Sequence, residues 1–265
     1  MEIKKVAILG AGAVGSYVIE GISGCREIRL GVIAEGERNA RLKSAGCTIN
    51  GVTYHPEVWT SQETDNIDLL IVSLKYGALP TALDTIKQAT SQNTIVMSLM
   101  NGVDSEEIIG AKIGMSHILP ALIKVASHKE PDGYHFDRKS TIGIIFGEYK
   151  SPFQSERVKA VCDLFEKSDI SYRVTDYIRE EIWSKFRLNV CNNLPQAILG
   201  AGVGCYRDSV HMKAISEGLR SEIEAIAAAK VVAANIDEYL GFRHEISCDV
   251  EIPEAKLEDK IPCGR

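Results

Sequence analysis

Two groups of residues in this chain have the types and spacing that chemistry needs. The first is Gly10-Ala11-Gly12-Ala13-Val14-Gly15, a G-x-G-x-x-G turn. In such a turn the first glycine makes the sharp bend, the second lets a pyrophosphate approach the backbone, and the third lets a helix pack close to a strand. The helix that follows offers unpaired N–H groups and a positive dipole end to phosphates. The second group lies in Glu180–Pro195, EEIWSKFRLNVCNNLP. If this segment is helical, Lys185, Asn189 and Asn193 stand at i, i+4 and i+8 and share one face. A lysine ammonium can stabilise negative charge growing on an oxygen and can donate the proton. Neutral amides can hold a hydroxyl or a carboxylate without burying another charge.

Each group has a plainer alternative. A glycine turn can bind nothing, although this one follows an apolar strand and opens a probable helix, Val14–Ile22. Asparagine is a poor helix former and is costly to bury unbonded. The asparagines of the second group are therefore explained by a polar substrate pocket, or by a helix–helix hydrogen-bond network with Lys185 reaching solvent. The strand after the first helix ends at Ala34, and Glu35 follows twenty residues after Gly15. A carboxylate there can accept hydrogen bonds from ribose hydroxyls, which favours NAD, and it would repel a 2′-phosphate. Arg38 and Arg41 lie just beyond and could turn back towards such a phosphate, so NADH and NADPH both stay open. Glu35 as a merely solvated loop residue stays open too.

These groups need elements to position them. Val6–Leu9, Ile28–Ala34, Leu69–Leu74 and Thr94–Leu99 are short apolar runs separated mostly by longer mixed segments. Continuous apolar strands suit a parallel sheet buried on both faces, and the alternation predicts βαβ units. Further strands are predicted at Ile118–Ala126, Thr141–Phe146 and Ser171–Thr175, with a helix over Ser155–Lys167. From about Asp176 the strand signals fade. Asp176–Leu194 and Ser209–Asn235 read as long helices, and Ile236–Pro262 is acidic and irregular. The expected fold is α/β: a Rossmann-type doubly wound sheet over residues 1–175, then a mainly helical substrate domain over 176–265. The cleft is expected outside the carboxyl ends of the strands.

Composition narrows the function. The chain has 265 residues, 45% hydrophobic and 25% charged, with 30 basic and 36 acidic side chains and a net charge of −6. It lacks the broad positive field of a nucleic-acid binder, and an acidic chain gains nothing from an anionic membrane. No apolar run reaches the ~18 residues that span a bilayer. The basic and apolar start, MEIKKVAILGAGAVG, reads as a strand entering a turn rather than a signal peptide. Seven scattered cysteines form no C-x-x-C, and six histidines form no H-x-x-x-H, so no metal site is expected. The expected location is cytoplasmic.

The ordered set of motifs resembles the ketopantoate reductase (2-dehydropantoate 2-reductase) family, from the N-terminus to about residue 235. It comprises the glycine turn, Lys75 after Leu69–Leu74, Asn101-Gly102 within NGVDSEEIIG, and Trp183-x-Lys185-x-x-x-Asn189-x-x-x-Asn193. The resemblance implies that Lys185 is the catalytic lysine. It implies that Asn101 lies beside nicotinamide and substrate, that Asn189 and Asn193 bind substrate, and that Lys75 lines the cleft. Gly10, Gly12, Ala13, Val14, Gly15, Glu35 and Asn101 would bind the cofactor. On residue type alone, Asn101-Gly102 is also a good turn dipeptide, and Lys75 also fits a surface position.

The implied reaction is NAD(P)H-dependent reduction of a small 2-keto acid, foremost 2-dehydropantoate to pantoate. An ordinary lysine is protonated at neutral pH, so no shifted pKa is required of Lys185. The implied partner is a small molecule, with a homodimer left open. Three departures stand out. Glu35 occupies the place where the family often has arginine. The proline after the last asparagine comes one place late, at Pro195. The ending EAKLEDKIPCGR lacks the family's second catalytic glutamate, leaving Glu254, Glu258 and Asp259 as substitutes. Weak or absent ketopantoate reductase activity is therefore expected. The alternatives are a related hydroxyacid dehydrogenase, disfavoured by the absence of a glycine run before Lys185, and a dinucleotide-binding homologue without turnover.

Overall fold

The computed structural model describes residues 2–138, 141–150, 152 and 154–239. The chain begins β1 (Lys5–Leu9), α1 (Ala13–Ile22), β2 (Arg29–Ile33), α2 (Gly36–Ala45), β3 (Cys47–Ile49), β4 (Val52–Tyr54), β5 (Glu57–Trp59), β6 (Leu69–Val72), α3 (Leu79–Ala89) and β7 (Ile95–Ser98). It continues α4 (Ser105–Ile113), β8 (Ala121–Lys124), β9 (Ser127–Glu130), β10 (Gly133–Phe136), β11 (Gly143–Phe146), α5 (Glu156–Glu166), β12 (Tyr172–Val174) and α6 (Ile178–Leu188). A π-helical turn, Asn189–Asn193, follows, then α7 (Leu194–Leu199), α8 (Cys205–Asp208) and α9 (Val210–Tyr239).

Five strands form an all-parallel sheet in the order β5-β2-β1-β6-β7. Its central strands read VAIL, LLIV and IVMS because both faces are covered, and every one of these residues is buried. One face packs Val6, Ile8, Leu69 and Ile71 against Tyr17, Val18 and Ile22 of α1. The other packs Ala7, Leu70 and Val96 against Leu79 and Ile86 of α3. Chain order reverses between β1 and β6, so the glycine turn after β1 sits at the switch point where open α/β sheets bind ligands. This is the Rossmann-type doubly wound sheet expected from the apolar runs. A three-stranded sheet, β12-β11-β8, carries the chain towards α6. A further sheet, β4-β3-β10-β9, has no counterpart in the predicted elements.

By internal packing the chain forms two units, Met1–Phe186 and Arg187–Arg265. The division thus falls within the helical run, beyond residue 175. Helix α6 belongs to the first unit through Ile178 and Ile182, which pack with Leu122 and Ile145. In the second unit, Cys191 and Met212 are buried, and Arg187 pairs with Glu224 at 2.7 Å.

The single helix predicted over Asp176–Leu194 requires correction. Helix α6 stops at Leu188, five residues turn as a π-helix, and α7 starts with Pro195 in its first turn. Proline has no N–H and its ring crowds the carbonyl four residues back, so the regular ladder cannot run through it. A π turn absorbs such a misfit. The α-helical face assumed for Lys185, Asn189 and Asn193 does not run unchanged through that turn. The predicted helix Ser209–Asn235 is present as α9. The acidic residues Glu254, Glu258 and Asp259 lie outside the described residues, so the expectation built on them has no structural account.

Candidate active site

The glycine turn is built as its spacing predicts. Gly10 has φ of 111°, and a Cβ there would meet the Ser73 carbonyl oxygen at 2.7 Å. The Ser73 hydroxyl donates to the Gly10 carbonyl at 2.6 Å, tying the ends of β1 and β6 together. A Cβ on Gly15 would lie 2.0 Å from the Gly10 carbonyl oxygen, so only glycine lets α1 start this close to β1. Gly12 differs: a Cβ there meets nothing within 4 Å. The protein itself therefore does not need glycine at 12, whereas a pyrophosphate at the helix start would. Gly12 is the N-cap of α1, no side chain caps that end, and its first turn carries no acid. Ala13 and Val14 are the first residues of α1, so their N–H groups belong to the uncapped end. The residues present fit a dinucleotide.

Glu35 stands exposed at the end of β2 as the N-cap of α2. Its Oε1 accepts a hydrogen bond from the Ser61 amide at 2.6 Å, so it also braces the loop after β5. Arg38 and Arg41, both exposed, lie near Cys47 at the start of β3, where their charges act on its thiol. Burial outweighs them and pushes that thiol up.

Past β6 and β7 lie Lys75 and Asn101, both exposed. Lys75 precedes the short turn Tyr76–Ala78. The Tyr76 hydroxyl donates to Asp104 at 2.6 Å, joining the loops after β6 and β7. Gly102 has φ of 125°, a conformation that favours glycine in the bend that follows β7. Gly10, Ser73, Lys75 and Asn101 thus all follow the carboxyl ends of adjacent parallel strands.

Lys185 is half-buried on α6. Burial, reinforced by the neighbouring Lys124 ammonium, lowers its pKa to about 8, with Glu106 opposing. At that value the lysine is still mostly protonated at neutral pH. Among the described residues Lys185 makes no hydrogen bond and no ion pair, while Lys124 is held by Glu181 at 3.0 Å and Glu181 also by Arg173 at 2.5 Å. The arginine and the lysine together hold the Glu181 carboxyl below its usual range.

Reasoning from sequence did not single out Glu106 or Lys124. Glu106 is buried in the first turn of α4, and desolvation raises its pKa to about 7. The available signals were a double acid just after Asn-Gly, and a lysine closing the apolar strand ALIK.

Asn189 and Asn193 lie in the second unit. Asn193 Nδ2 donates to Asn189 Oδ1 at 2.9 Å, so these two side chains do come together. No group of three or more metal-ligating side chains occurs among the described residues, and none of their helices is long and apolar enough to cross a membrane.

The chain resembles known proteins over most of its length. The family model described as Ketopantoate reductase PanE/ApbA matches residues 6–150, and its C-terminal companion matches 177–260. A 2-dehydropantoate 2-reductase of Mesorhizobium japonicum is 24% identical over 279 residues, covering 95% of this chain and 81% of that protein. An uncharacterized oxidoreductase of Bacillus subtilis is 23% identical over 186 residues, and the match spans 69% of this chain and 61% of that relative's length. Among solved structures, D-mandelate dehydrogenase with NADH and anilino(oxo)acetate superposes with a TM-score of 0.75 at 21% identity, covering 85% of this chain and 74% of that one. At that identity the likeness is one of fold. The family models span both the glycine turn and the lysine–asparagine helix, and the chain belongs to the ketopantoate reductase family.

Proposed function

We propose that this chain reduces a small 2-keto acid to the 2-hydroxy acid with NADH or NADPH, with 2-dehydropantoate the leading substrate. The observation that carries the reading is Lys185, a half-buried lysine with no partner among the described residues and a pKa near 8. An ammonium of that acidity, with no partner among the described residues, suits proton donation to an alkoxide at neutral pH. Membership of the family, and the name of the M. japonicum relative, support the substrate class.

The reduced nicotinamide, when bound, supplies the hydride. The backbone of Gly10, Gly12, Ala13, Val14 and Gly15 would hold the pyrophosphate, Glu35 the ribose hydroxyls, and Asn101 would flank the nicotinamide and substrate. Lys185 would stabilise the developing oxyanion and give it a proton. Asn189 and Asn193 would orient the substrate, since their mutual bond engages only one donor and one acceptor of the pair. Lys75 would line the cleft and favour an anionic substrate.

A second reading, a dehydrogenase of a bulkier 2-hydroxy acid, draws on the fold shared with D-mandelate dehydrogenase. One experiment separates the readings: NADH and NADPH oxidation with 2-dehydropantoate, phenylglyoxylate and pyruvate. Turnover with 2-dehydropantoate foremost is expected. Preference for phenylglyoxylate would favour the second reading. Cofactor binding without turnover on any keto acid would reject both.

A further inference from the structure

Helix α6 packs on the three-stranded sheet, and the strand register decides what it meets there. Ile145 of β11 is paired with Leu122 of β8 on one side and with Arg173 of β12 on the other. Directly paired residues share a sheet face, and so do residues two apart on one strand. Leu122, Lys124, Ile145 and Arg173 therefore stand on one face. Leu122 and Ile145 pack with Ile178 and Ile182 of α6, so this is the face that the helix covers. Glu181 and Lys185 follow Ile178 at i+3 and i+7, on the same stripe of α6.

Within that stripe Glu181 and Lys185 are one helical turn apart, with the acid on the N-terminal side. This is the favoured order for an intrahelical i,i+4 ion pair. Here that pair is not formed. Glu181 Oε2 instead accepts from Lys124 Nζ at 3.0 Å, and its Oε1 accepts from Arg173 Nη2 at 2.5 Å. One cation sits on each strand flanking β11, so both carboxylate oxygens are engaged from the sheet side. Together they hold the carboxyl below its usual range, Arg173 foremost. The other charged groups of this region are engaged elsewhere or exposed. Glu106 on α4 accepts from Ser105 at 2.8 Å, Arg179 covers the Tyr149 ring at 4.5 Å, and Glu180 faces solvent. Lys185 is left without an ion pair among the described residues, in a half-buried position where a pair would be stronger than in water.

We propose that Lys124 and Arg173 are positioning residues for Lys185: they hold the Glu181 carboxylate on the sheet, and so keep it from capturing the ammonium one helical turn away. The consequence for catalysis rests on the reading of Lys185 as proton donor, but the arrangement of the four charges does not. A captured ammonium would have to break an ion pair before meeting a keto-acid oxygen. It would also hold its proton more tightly, since an opposite charge favours the charged form. Release of Glu181 should therefore raise the affinity of Lys185 for its proton and slow turnover.

The test is a mutant cycle on the full chain, read by competitive acetylation with acetic anhydride across pH and mass spectrometry of the Lys185 peptide. Only the neutral amine reacts, so the midpoint reports the lysine directly and needs no turnover. In the parent, Glu181→Gln should barely move that midpoint, because Lys124 and Arg173 already engage the carboxylate. In a Lys124→Met, Arg173→Met background the same Glu181→Gln should lower it by about one pH unit, the scale of losing one nearby opposite charge. Comparing the two effects cancels the like charge that Lys124→Met removes from beside Lys185. Keto-acid turnover should fall about tenfold in the Lys124→Met, Arg173→Met chain, the rate equivalent of a one-unit shift, and recover when Glu181→Gln is added. Equal effects of Glu181→Gln in the two backgrounds overturn the proposal. If the Lys124→Met, Arg173→Met chain does not fold, Arg173→Met alone takes its place: a smaller difference of the same sign is expected, and none overturns the proposal. Unequal effects beside full turnover in Lys185→Ala would reject the function proposed above and leave the charge arrangement standing.

Discussion

The hydroxyl of Tyr206 lies 2.5 Å from the carbonyl oxygen of Asn192 and 3.4 Å from that of Cys191. Cys191 is the residue whose carbonyl an α-helix would pair with the amide of residue 195, and Pro195 has none. The tyrosine thus supplies a donor to the carbonyls of the turn before Pro195, its short bond going to that of Asn192. Tyr206→Phe should lower stability by about 1 kcal/mol, the net worth of an ordinary hydrogen bond. Urea unfolding compared with the parent checks this. A change within error would mean that solvent replaces the hydroxyl.

Gly12 and Gly15 should respond to substitution in opposite ways. Gly12→Val places its Cβ in open space, so the fold should lose only about 1 kcal/mol through a poorer N-cap. Cofactor affinity should fall by about a hundredfold, because the branched side chain fills the pyrophosphate approach. Gly15→Ala puts its Cβ 2.0 Å from a backbone oxygen and should destabilise the fold by ~1–3 kcal/mol or more. Thermal unfolding and cofactor titration on both variants separate the two effects.

NADH should bind at least as well as NADPH. The carboxylate of Glu35 would face a 2′-phosphate with like charge, while Arg38 and Arg41 stand further along α2. Glu35→Gln should shift the ratio of dissociation constants towards NADPH by about tenfold, or ~1.4 kcal/mol. Titration of both cofactors decides it, and NADPH binding tenfold tighter than NADH in the parent would show that the arginines prevail.

With Lys185 as the proposed proton donor, turnover should fall as pH rises through about 8, the value to which burial lowers its pKa. The sign follows from the group: a base pushed down by burial loses its proton earlier on the alkaline side. An ordinary lysine would keep the rate level to about pH 10. Lys185→Ala should reduce turnover by ~10²–10⁴-fold while leaving cofactor affinity within about twofold. A pH–rate profile with an alkaline limb near 10 would contradict the assignment.

Much of the first unit was legible in the residues. Strands β1, β2, β6 and β7 each carry a run of buried, mostly apolar residues because both sheet faces are covered. Helix α5 announces itself through Ser155, whose hydroxyl accepts from the Val158 amide at 3.2 Å. The second sheet was not legible. Strand β9, Ser127–Glu130, is exposed at every position, and β3 and β4 have three residues each, so neither alternation nor an apolar run marks them. The π turn was hidden because the spacing of Lys185, Asn189 and Asn193 fits an α-helix, and the clue was Pro195, whose effect depends on the carbonyls around it. Glu106 was hidden for another reason. Acids are common in a first helical turn, and nothing in Glu106-Glu107 tells which of the two points inward.

The bond between Glu35 and Ser61 has an evolutionary reading. The carboxylate proposed to face the ribose also staples the loop after β5 to the end of β2. A lineage that replaced Glu35 to accept a phosphorylated ribose would loosen that loop in the same step. The change in cofactor and the repair of the loop would therefore have to arrive together, or the repair first. Selection for a new cofactor alone would meet a structural toll at position 35, and the residues around Ser61 are where compensating substitutions should be sought.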